Sequence, residues 1–349
     1  MSRSQIEKWN EEARIEGSDN FSSRYSKLIE FVEHGVNNCK ILVVGDLMLD
    51  KYYYGEVTRI SPEAPVPITH VKRVKETLGG AANVAHNLAL LGCKTSIAGY
   101  IGDDGHGESM IEKLIGLGID YFDVKQIDKP TTTKIRVIGG HQQMMRLDFE
   151  DSTPIEGLSA EEMLENINEQ LNSERRVGAV IISDYGKGTC TERVCQKIIK
   201  ECKKSGINVI VDPKGRDWEK YRGADYITPN LSELNAVVES TVRNEDREVE
   251  QAAKRALSKY KIKNMIVTRS ERGMSLITES EVKHIKAKAR EVYDVSGAGD
   301  TVIAVFTLAL TGDLKAIEAA QLANLAAGVV VGKVGTYAVD KEELLEVLM

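Results

Sequence analysis

Asp300 is the residue whose neighbours in the sequence point most clearly to chemistry. It directly follows Gly297, Ala298 and Gly299, and an apolar run of helical length starts two residues after it. Small residues in front of an apolar helix leave the backbone N–H groups of the first turn uncovered, and such a helix start attracts anions. A carboxylate beside an anion site suits a base that takes the proton of a hydroxyl attacking a phosphate. A helix-capping aspartate is the structural alternative, and this segment alone leaves the two interpretations nearly even.

Two motifs nearer the start of the chain carry residues suited to binding sugar hydroxyls. Asp46 and Asp50 stand four residues apart just after a predicted strand. A solvated loop is the plain interpretation there, and a buried carboxylate that accepts two sugar hydroxyls is the functional one. Gly79, Gly80 and Asn83 open a predicted helix, where paired glycines allow a ligand to approach the backbone closely. Taken by itself, this second motif reads as an ordinary loop-to-helix junction.

Three later motifs also follow predicted strands. Asp184 and Lys187 stand in a glycine-containing loop that fits a charged turn and a clamp for an anion or a sugar equally well. Asn230 and Glu233 have the spacing of a helix cap, which is the more common interpretation of this spacing. The same spacing also fits a pair of side chains that orients hydrated Mg²⁺ beside phosphates. The turn at 268–273 leads into another predicted strand, so a hairpin is its minimum interpretation and a backbone cradle for a nucleotide is the further one.

The elements that must position these residues follow from the apolar pattern. Apolar runs of strand length occupy residues 40–46, 96–99, 179–183, 208–212, 226–228 and 264–268. Helix-length segments lie between them, at 81–91, 108–117, 191–205 and 248–259. This alternation predicts an α/β fold with a doubly wound, mainly parallel sheet flanked by helices. Ligands of such sheets bind beyond the carboxyl ends of the strands, where most of the motifs stand.

Two segments depart from this alternation. Residues 51–75 and 131–149 read as short strands inserted into an α/β domain of residues 40–349, and together they predict a small β-sheet lid over the strand ends. Residues 1–39 are predicted to form an N-terminal helical extension that packs on the body or on a partner subunit. The inserted strands leave an exposed edge that a second copy of the chain can cover, so a homodimer is expected.

The composition argues against several classes of protein. Lys and Arg number 46 against 53 Asp and Glu, a formal charge of −7 without a long basic run, which argues against nucleic acid or an anionic membrane as the partner. No apolar stretch reaches the roughly 20 residues that span a bilayer, and no secretion signal is visible, so a cytoplasmic protein is expected. The five cysteines lack metal-ligand spacing and are expected to be reduced structural thiols.

In their order along the chain, these motifs resemble those of the ribokinase-like (PfkB) family of carbohydrate kinases. An early Gly-Gly-x-x-Asn, a central Asn-x-x-Glu and a late Gly-Ala-Gly-Asp carry the resemblance, which covers nearly everything from Lys40 onward. Within the family the chain is most similar to the D-glycero-β-D-manno-heptose-7-phosphate kinases, through residues 43–50, 59–67, 79–85, 146–150, 183–188, 212–214 and 268–274. Ser270 stands where generic ribokinases usually carry a glycine.

The resemblance implies a role for each motif. Asp300 would be the base, and residues 297–299 would present N–H groups to the transferring phosphate. The residues implied to hold the sugar are Asp50, Gly79, Gly80, Asn83 and Asp184. Those implied to grip the phosphate of a sugar phosphate are Arg59, Arg146 and Lys187. Asn230 and Glu233 would organise Mg²⁺ through water, and the residues implied to border the adenine nucleotide are Asn230, Thr268, Ser270, Gly273 and Asn324.

The implied reaction is transfer of the γ-phosphoryl group of ATP to the anomeric hydroxyl of heptose 7-phosphate, giving the 1,7-bisphosphate, a precursor of ADP-heptose. ATP and Mg²⁺ are the expected cofactors, with a monovalent cation as a further candidate. No His-x-Gly-His motif occurs among the six histidines, so a nucleotidyltransferase step is expected to be absent.

Three alternatives remain open from the sequence. One is a kinase of the same family directed at ribose, fructose or a fructose phosphate. Another is a sugar- or nucleotide-binding protein without turnover, against which the intact Asp300 motif argues. A dinucleotide-binding dehydrogenase is the most distant, since no G-x-G-x-x-G follows the first predicted strand.

Overall fold

The computed structural model of the chain describes residues 21–126, 128–140, 142–172, 177–238, 240–288 and 292–349. The strands are β1 (Lys40–Gly45), β2 (Leu47–Ile60), β3 (Pro67–Gly80), β4 (Lys94–Gly102), β5 (Asp120–Gln126), β6 (Thr133–Gly139), β7 (Gln142–Phe149), β8 (Ala179–Ser183), β9 (Asn208–Asp212), β10 (Tyr226–Ile227), β11 (Asn264–Thr268), β12 (Met274–Ile277) and β13 (Val282–Ile285). The α-helices are α1 (Phe21–Glu30), α2 (Ala81–Leu90), α3 (Gly105–Gly116), α4 (Gly157–Leu171), α5 (Glu192–Ser205), α6 (Leu231–Val238), α7 (Asp246–Tyr260), α8 (Ala298–Thr311), α9 (Ala316–Val330) and α10 (Lys341–Leu348).

The larger sheet has nine strands in the order β13-β12-β11-β10-β9-β8-β1-β4-β5. The seven strands from β11 to β5 in that order run parallel, and β12 and β13 add an antiparallel edge. Strand order reverses at β1, because β4 lies on one side of it and β8 on the other. This arrangement confirms the predicted doubly wound, mainly parallel sheet.

The sheet is buried on both faces, which explains the continuous apolar runs of its strands. In β1, Ile41 and Val43 belong to the core on one face, whereas Leu42 and Val44 belong to the core on the other. Helices α2, α3, α8, α9 and α10 cover the first face, and helices α4, α5, α6 and α7 cover the second. The apolar runs are therefore continuous because alternate residues of a strand such as β1 pack into two different cores, one on each face of the sheet.

The smaller sheet, here called the lid, has the order β3-β2-β6-β7. Strands β2 and β3 form an antiparallel pair, β2 and β6 run parallel, and β6 and β7 run antiparallel. Strand β2 is buried at its start and exposed from residue 56 to residue 60, so its base packs on the domain and its tip projects into solvent. It begins at Leu47, four residues earlier than the predicted insertion, so Asp50 lies in a buried strand and not in a solvated loop.

The start of the described chain packs on the body of the same molecule. Helix α1 is followed by a π-helical turn and a 3₁₀ turn that end at Asn38. Leu28, Phe31 and Val32 are buried in the core on the α8 side of the sheet, and Lys27 forms an ion pair with Glu318 of α9 at 2.8 Å. Residues 1–20 of the predicted helical extension lie outside the described residues.

All five cysteines are buried and unpaired. None of the helices in the described parts of the chain has both the length and the apolar character that crossing a membrane requires.

Candidate active site

The start of α8 leaves backbone donors open. Gly297 adopts a left-handed conformation (φ 82°) directly before the helix, a conformation that favours glycine. The N–H of Ala298 donates to the carbonyl of Val295 at 3.2 Å. The N–H groups of Gly299 and Asp300 have no hydrogen-bond partner among the described residues, and a Cβ at Gly299 would meet only open space. Two free donors therefore point out of the helix start, as an anion site requires.

Asp300 lies in the first turn of α8 with its carboxylate buried and held by two donors. The Asn83 amide Nδ2 donates to Oδ2 at 2.7 Å, and the Tyr185 hydroxyl donates to Oδ1 at 2.5 Å. Burial raises the pKa of Asp300 to about 6, and the two hydrogen bonds oppose that rise. The carboxyl is thus a base whose pKa lies close to neutral pH, the range in which general bases work well.

Glycines at the end of β3 allow the Asp50 carboxylate and the backbone of Asp46 to lie close to the strand. A Cβ at Gly79 would lie 2.5 Å from Asp50 Oδ2, and one at Gly80 (φ 57°) would lie 2.6 Å from the carbonyl oxygen of Asp46. Asn83 follows in the first turn of α2, directly after Gly80. Its side-chain amide contacts Asp300. The Gly-Gly-x-x-Asn motif therefore has a packing reason at each glycine and a polar contact at its asparagine.

Asp50 is buried and paired. Its Oδ1 accepts from the Arg136 guanidinium at 2.5 Å, and its Oδ2 accepts from the Thr336 hydroxyl at 3.2 Å. Arg136 also lies over the ring of Tyr52, 5.1 Å from its centroid. Neither Arg136 nor Thr336 was predicted from the sequence, because their partners are distant in the chain.

The loop after β8 is held by the carboxylate of Asp46. That carboxylate accepts the backbone N–H groups of Tyr185, Lys187 and Thr189 at 2.8 to 3.0 Å. Asp184 is turned to other partners, since its carboxylate accepts from Tyr221 at 2.6 Å and pairs with Lys220. The structure therefore brings Tyr185 to Asp300, whereas it leaves the Asp184 carboxylate occupied within the protein.

Of the three cations predicted to grip a phosphate, two are paired with carboxylates and the third lies far from Asp50 along the lid. Lys187 is paired with Glu150 at 2.7 Å, and Arg146 is paired with Asp148 at 2.9 Å. Arg59 lies on the exposed part of β2, nine residues beyond Asp50, which is about 30 Å along an extended strand.

Two other cations lie beside Asp50. Lys134 of β6 is the register partner of Asp50, and Arg136 follows two residues later on the same face of the lid. Lys134 is half-buried, forms no hydrogen bond or ion pair within the described chain, and lowers the pKa of Asp300 by its charge. The Lys-x-Arg alternation in a strand-like segment was the signal in the sequence that could have identified them.

A second acidic group, at the ends of β9 and β10, acts on Asp300 by its charge. Burial raises the pKa of Asp212, at the end of β9, well above its usual value, and repulsion from Glu233 and Asp300 adds to that rise. Asn230 and Glu233 form a reciprocal helix cap, with each side chain accepting the backbone N–H of the other residue at 2.9 and 3.0 Å. This cap uses the amide oxygen of Asn230 and leaves one carboxylate oxygen of Glu233 near Lys214, at 3.5 Å. Carboxylates that repel one another in this way suit a hydrated divalent cation.

The predicted nucleotide residues form two adjacent groups. Asn230 and Thr268 are register partners in a parallel bridge. Gly273 (φ 81°) would place a Cβ 2.1 Å from the carbonyl oxygen of Ile285, so only glycine fits there. The Asn324 amide donates to the carbonyl of Lys286 at 2.8 Å. Ser270 takes a left-handed conformation (φ 52°) in the turn between these groups, the position at which it departs from the family pattern.

The chain is similar to known proteins over most of its length. Residues 38–343 match the pattern of the pfkB family carbohydrate kinases. The chain is 49% identical over 308 residues to the "Bifunctional protein HldE" of Methylobacillus flagellatus, a match that covers 87% of this chain and 62% of that protein. It is 45% identical over 305 residues to the protein of the same name from Shigella flexneri, with the same two coverages. The chain thus spans about 62% of the length of these relatives.

Solved structures share the fold. Arabidopsis thaliana ribokinase complexed with ribose and ATP aligns with a TM-score of 0.69 at 23% identity, over 89% of this chain and 98% of that chain. Phosphofructokinase-2 from Escherichia coli in complex with potassium aligns with a TM-score of 0.73 at 18% identity, with the same coverages. The predicted ribokinase-like fold is therefore confirmed.

Proposed function

We propose, on the premise that this chain belongs to the pfkB family of carbohydrate kinases, that it transfers the γ-phosphoryl group of ATP to a sugar hydroxyl with Asp300 as the base. One observation carries this proposal. A buried carboxylate, held by Asn83 and Tyr185, lies in the same helical turn as the N–H groups of Gly299 and Asp300, which have no hydrogen-bond partner in the described parts of the chain. A base beside an open anion site is the arrangement that phosphoryl transfer to a hydroxyl needs.

The protein residues supply orientation and charge stabilisation. The Asp300 carboxylate accepts a hydrogen bond from the attacking hydroxyl and takes its proton late, because the transition state of phosphoryl transfer is loose. The free N–H groups of the α8 start stabilise the charge on the transferring phosphoryl group. Asp50, fixed by Arg136 and Thr336, is placed to accept hydrogen bonds from further sugar hydroxyls.

Mg²⁺ fits the acidic group on the nucleotide side. Glu233 and Asp212 would hold the ion through water, since their repulsion is relieved by a divalent cation. Bound there, Mg²⁺ neutralises charge on the phosphates of ATP. Asn230 would act mainly through its helix cap, which orients Glu233.

The proposed acceptor is the anomeric hydroxyl of D-glycero-β-D-manno-heptose 7-phosphate, with the 1,7-bisphosphate as product. Two observations support a phosphorylated sugar. The motifs of this chain are most similar to those of the heptose-7-phosphate kinases, and the lid face that bears Asp50 also carries Lys134, Arg136 and Arg146. A cationic face above the base suits a second phosphate on the substrate.

A homodimer through the lid is also proposed. The lid face opposite Asp50 carries exposed apolar side chains, namely Val74, Met145, Leu147 and Phe149. Val74 stands on β3 and the other three on β7, which are the two edge strands of the lid. The half-buried Tyr53 of β2 and Val137 of β6 join Val74 to Met145 in register, so the side chains form one patch of the kind that marks an interface. A second copy of the chain is the partner proposed for it.

Product analysis by mass spectrometry tests the reaction. The full chain is incubated with ATP, Mg²⁺ and, in separate reactions, the heptose 7-phosphate, ribose, fructose and fructose 6-phosphate, with Asp300→Asn as the matched control. A bisphosphate formed from the heptose phosphate well above the other products supports the full proposal. A phosphorylated product from another sugar alone replaces the heptose assignment, and the absence of product from every sugar favours a binding protein without turnover.

A further inference from the structure

We infer that Tyr185 is a positioning residue of this site, whose hydroxyl fixes the orientation of the Asp300 carboxylate and keeps it ionised for proton transfer. This inference rests on the proposed function for its role in turnover. Its structural part, the hold on Asp300, stands on contacts within the chain and can be tested without any sugar.

The contact itself leaves the carboxylate little freedom. Tyr185 donates to Oδ1 of Asp300 at 2.5 Å while Asn83 donates to Oδ2 at 2.7 Å. One donor on each oxygen fixes both the position and the plane of the group. Each oxygen still has a lone pair for the hydroxyl of a substrate. Hydrogen bonds to a charged acceptor are also the stronger kind.

The loop that carries Tyr185 is held by two buried carboxylates. Asp46 accepts the N–H of Tyr185 itself at 2.8 Å, together with those of Lys187 and Thr189. The Asp184 carboxylate accepts the N–H of Gly186 at 2.7 Å, so the residues on both sides of Tyr185 are fixed. Charge-assisted bonds to backbone on both sides make the loop a rigid support, which is what a positioning residue needs.

The charges that face Asp300 explain why the hydroxyl matters. Asp50 repels the ionised carboxylate and Lys134 attracts it, while Asp300 and Asp212 oppose each other's ionisation. Burial and the nearby Asp300 raise the pKa of Tyr185 well above its usual value, so this phenol stays protonated and donates. Without the hydroxyl, the Asn83 hydrogen bond and the charge of Lys134 would remain to oppose the effect of burial.

The test is Tyr185→Phe, which removes the hydroxyl and keeps the ring. The pKa of Asp300 is measured by ¹³C NMR of protein labelled at the aspartate carboxyl carbons, with Asp300→Asn to assign the resonance. We expect the titration midpoint to rise by about one pH unit, since a hydrogen bond to a charged group is lost. Tyr100→Phe is the matched control, because that hydroxyl is also largely buried but donates to the carbonyl of Ser159. An unchanged midpoint in Tyr185→Phe would overturn the inference whatever the protein phosphorylates.

Kinetics give the second readout. For a sugar found to be phosphorylated, the acidic limb of kcat/KM should move to higher pH in Tyr185→Phe, so that activity about one pH unit below the wild-type midpoint falls about tenfold. A uniform loss at every pH with an unmoved NMR midpoint would show a merely structural residue. If Tyr185→Phe does not fold, 3,5-difluorotyrosine incorporated at position 185 keeps the shape and strengthens the donor. The Asp300 midpoint should then fall, and a rise or no change would contradict the proposal.

Discussion

At the scale of single residues, the site depends on how a buried acid is kept usable. Asp300 is buried at the start of α8, and burial alone would favour its protonated form. Asn83 and Tyr185 oppose that tendency from elements far apart in the sequence. The result is a carboxyl with a pKa near 6, which is ionised at neutral pH and still a better base than an exposed aspartate.

Replacing this acid should remove catalysis and leave binding intact. In Asp300→Asn the side chain keeps its shape and can still accept the Asn83 hydrogen bond, so the fold and nucleotide binding are expected to persist. Turnover should fall roughly a hundred-fold or more, the usual scale for loss of a general base. Steady-state kinetics together with calorimetric titration of an ATP analogue check both parts. Near-normal turnover would remove Asp300 from its proposed role.

The same substitution should change how stability depends on pH. The folded-state pKa of about 6 lies above the unfolded value near 4, so the folded wild-type protein binds more protons across that window and loses stability as pH rises through it. Asp300→Asn lacks this loss and should be more stable than the wild type at pH 7 by on the order of 2 kcal/mol. Urea unfolding between pH 4 and pH 7 measures the difference. If the free energies of unfolding of the two proteins change in parallel with pH, the pKa of Asp300 is not raised by folding.

At the scale of elements, the sequence predicted features that depend on one strand or helix, such as its burial and its start. It did not predict contacts that depend on the pairing of two elements. Strand β1 was found from its apolar run because both of its faces are buried. Motif residues such as Asp300 and Asn83 stand at helix starts, which local patterns reveal. Lys134 and Arg136 were missed because their role depends on the pairing of β6 with β2.

Boundaries and partners were the other limit of prediction. The first lid strand was predicted to start at about residue 51, but β2 begins at Leu47 because its first residues pair with β3 and are buried at the base of the lid. Asp50, for which a solvated loop and a buried carboxylate were both left open, therefore lies in a buried strand. Asp184 was expected to face the sugar, and its carboxylate is instead bound by Lys220 and Tyr221, more than thirty residues away. A sequence shows which side chains can form ion pairs, whereas the fold decides which partner each one meets.

The helix start of α8 can be tested as an element. A methyl group at Gly299 would extend into open space, so Gly299→Ala should fold and should even gain about 0.5–1 kcal/mol of stability from the better helix former. The same methyl would crowd the phosphate over the unpartnered N–H groups, so turnover should fall at least tenfold. Thermal unfolding and initial rates measure the two effects.

Gly116→Ala provides the control for that experiment. This glycine also lies in a helix, α3, and a Cβ there would likewise meet nothing within 4 Å. Its substitution should leave turnover unchanged. If Gly299→Ala also keeps full turnover, the helix start is not the site of the transferring phosphate.

At the scale of the whole molecule, the lid joins two surfaces with different tasks. Its face toward the domain carries Asp50, Lys134 and Arg136, and its opposite face carries an apolar patch. Because successive residues of a strand point to opposite faces, one sheet of four strands presents both. Pairing of two lids through the apolar patch would therefore fix the sheet that forms one wall of the site.

A charge in that patch should separate the two copies. Leu147 is 43% exposed in the single chain and lies between Met145 and Phe149 on the same face of β7. Leu147→Glu would bury an unpaired carboxylate in the interface, which should weaken dimerisation a hundred-fold or more. Leu158→Glu is the matched control, because Leu158 is 87% exposed on α4 and outside the lid. Light scattering after size exclusion should show a dimer for the wild type and for Leu158→Glu, and a monomer for Leu147→Glu. A dimer that survives Leu147→Glu would place the interface elsewhere. A monomeric wild type would rule out a stable homodimer, and the lid would then not be supported by a second copy.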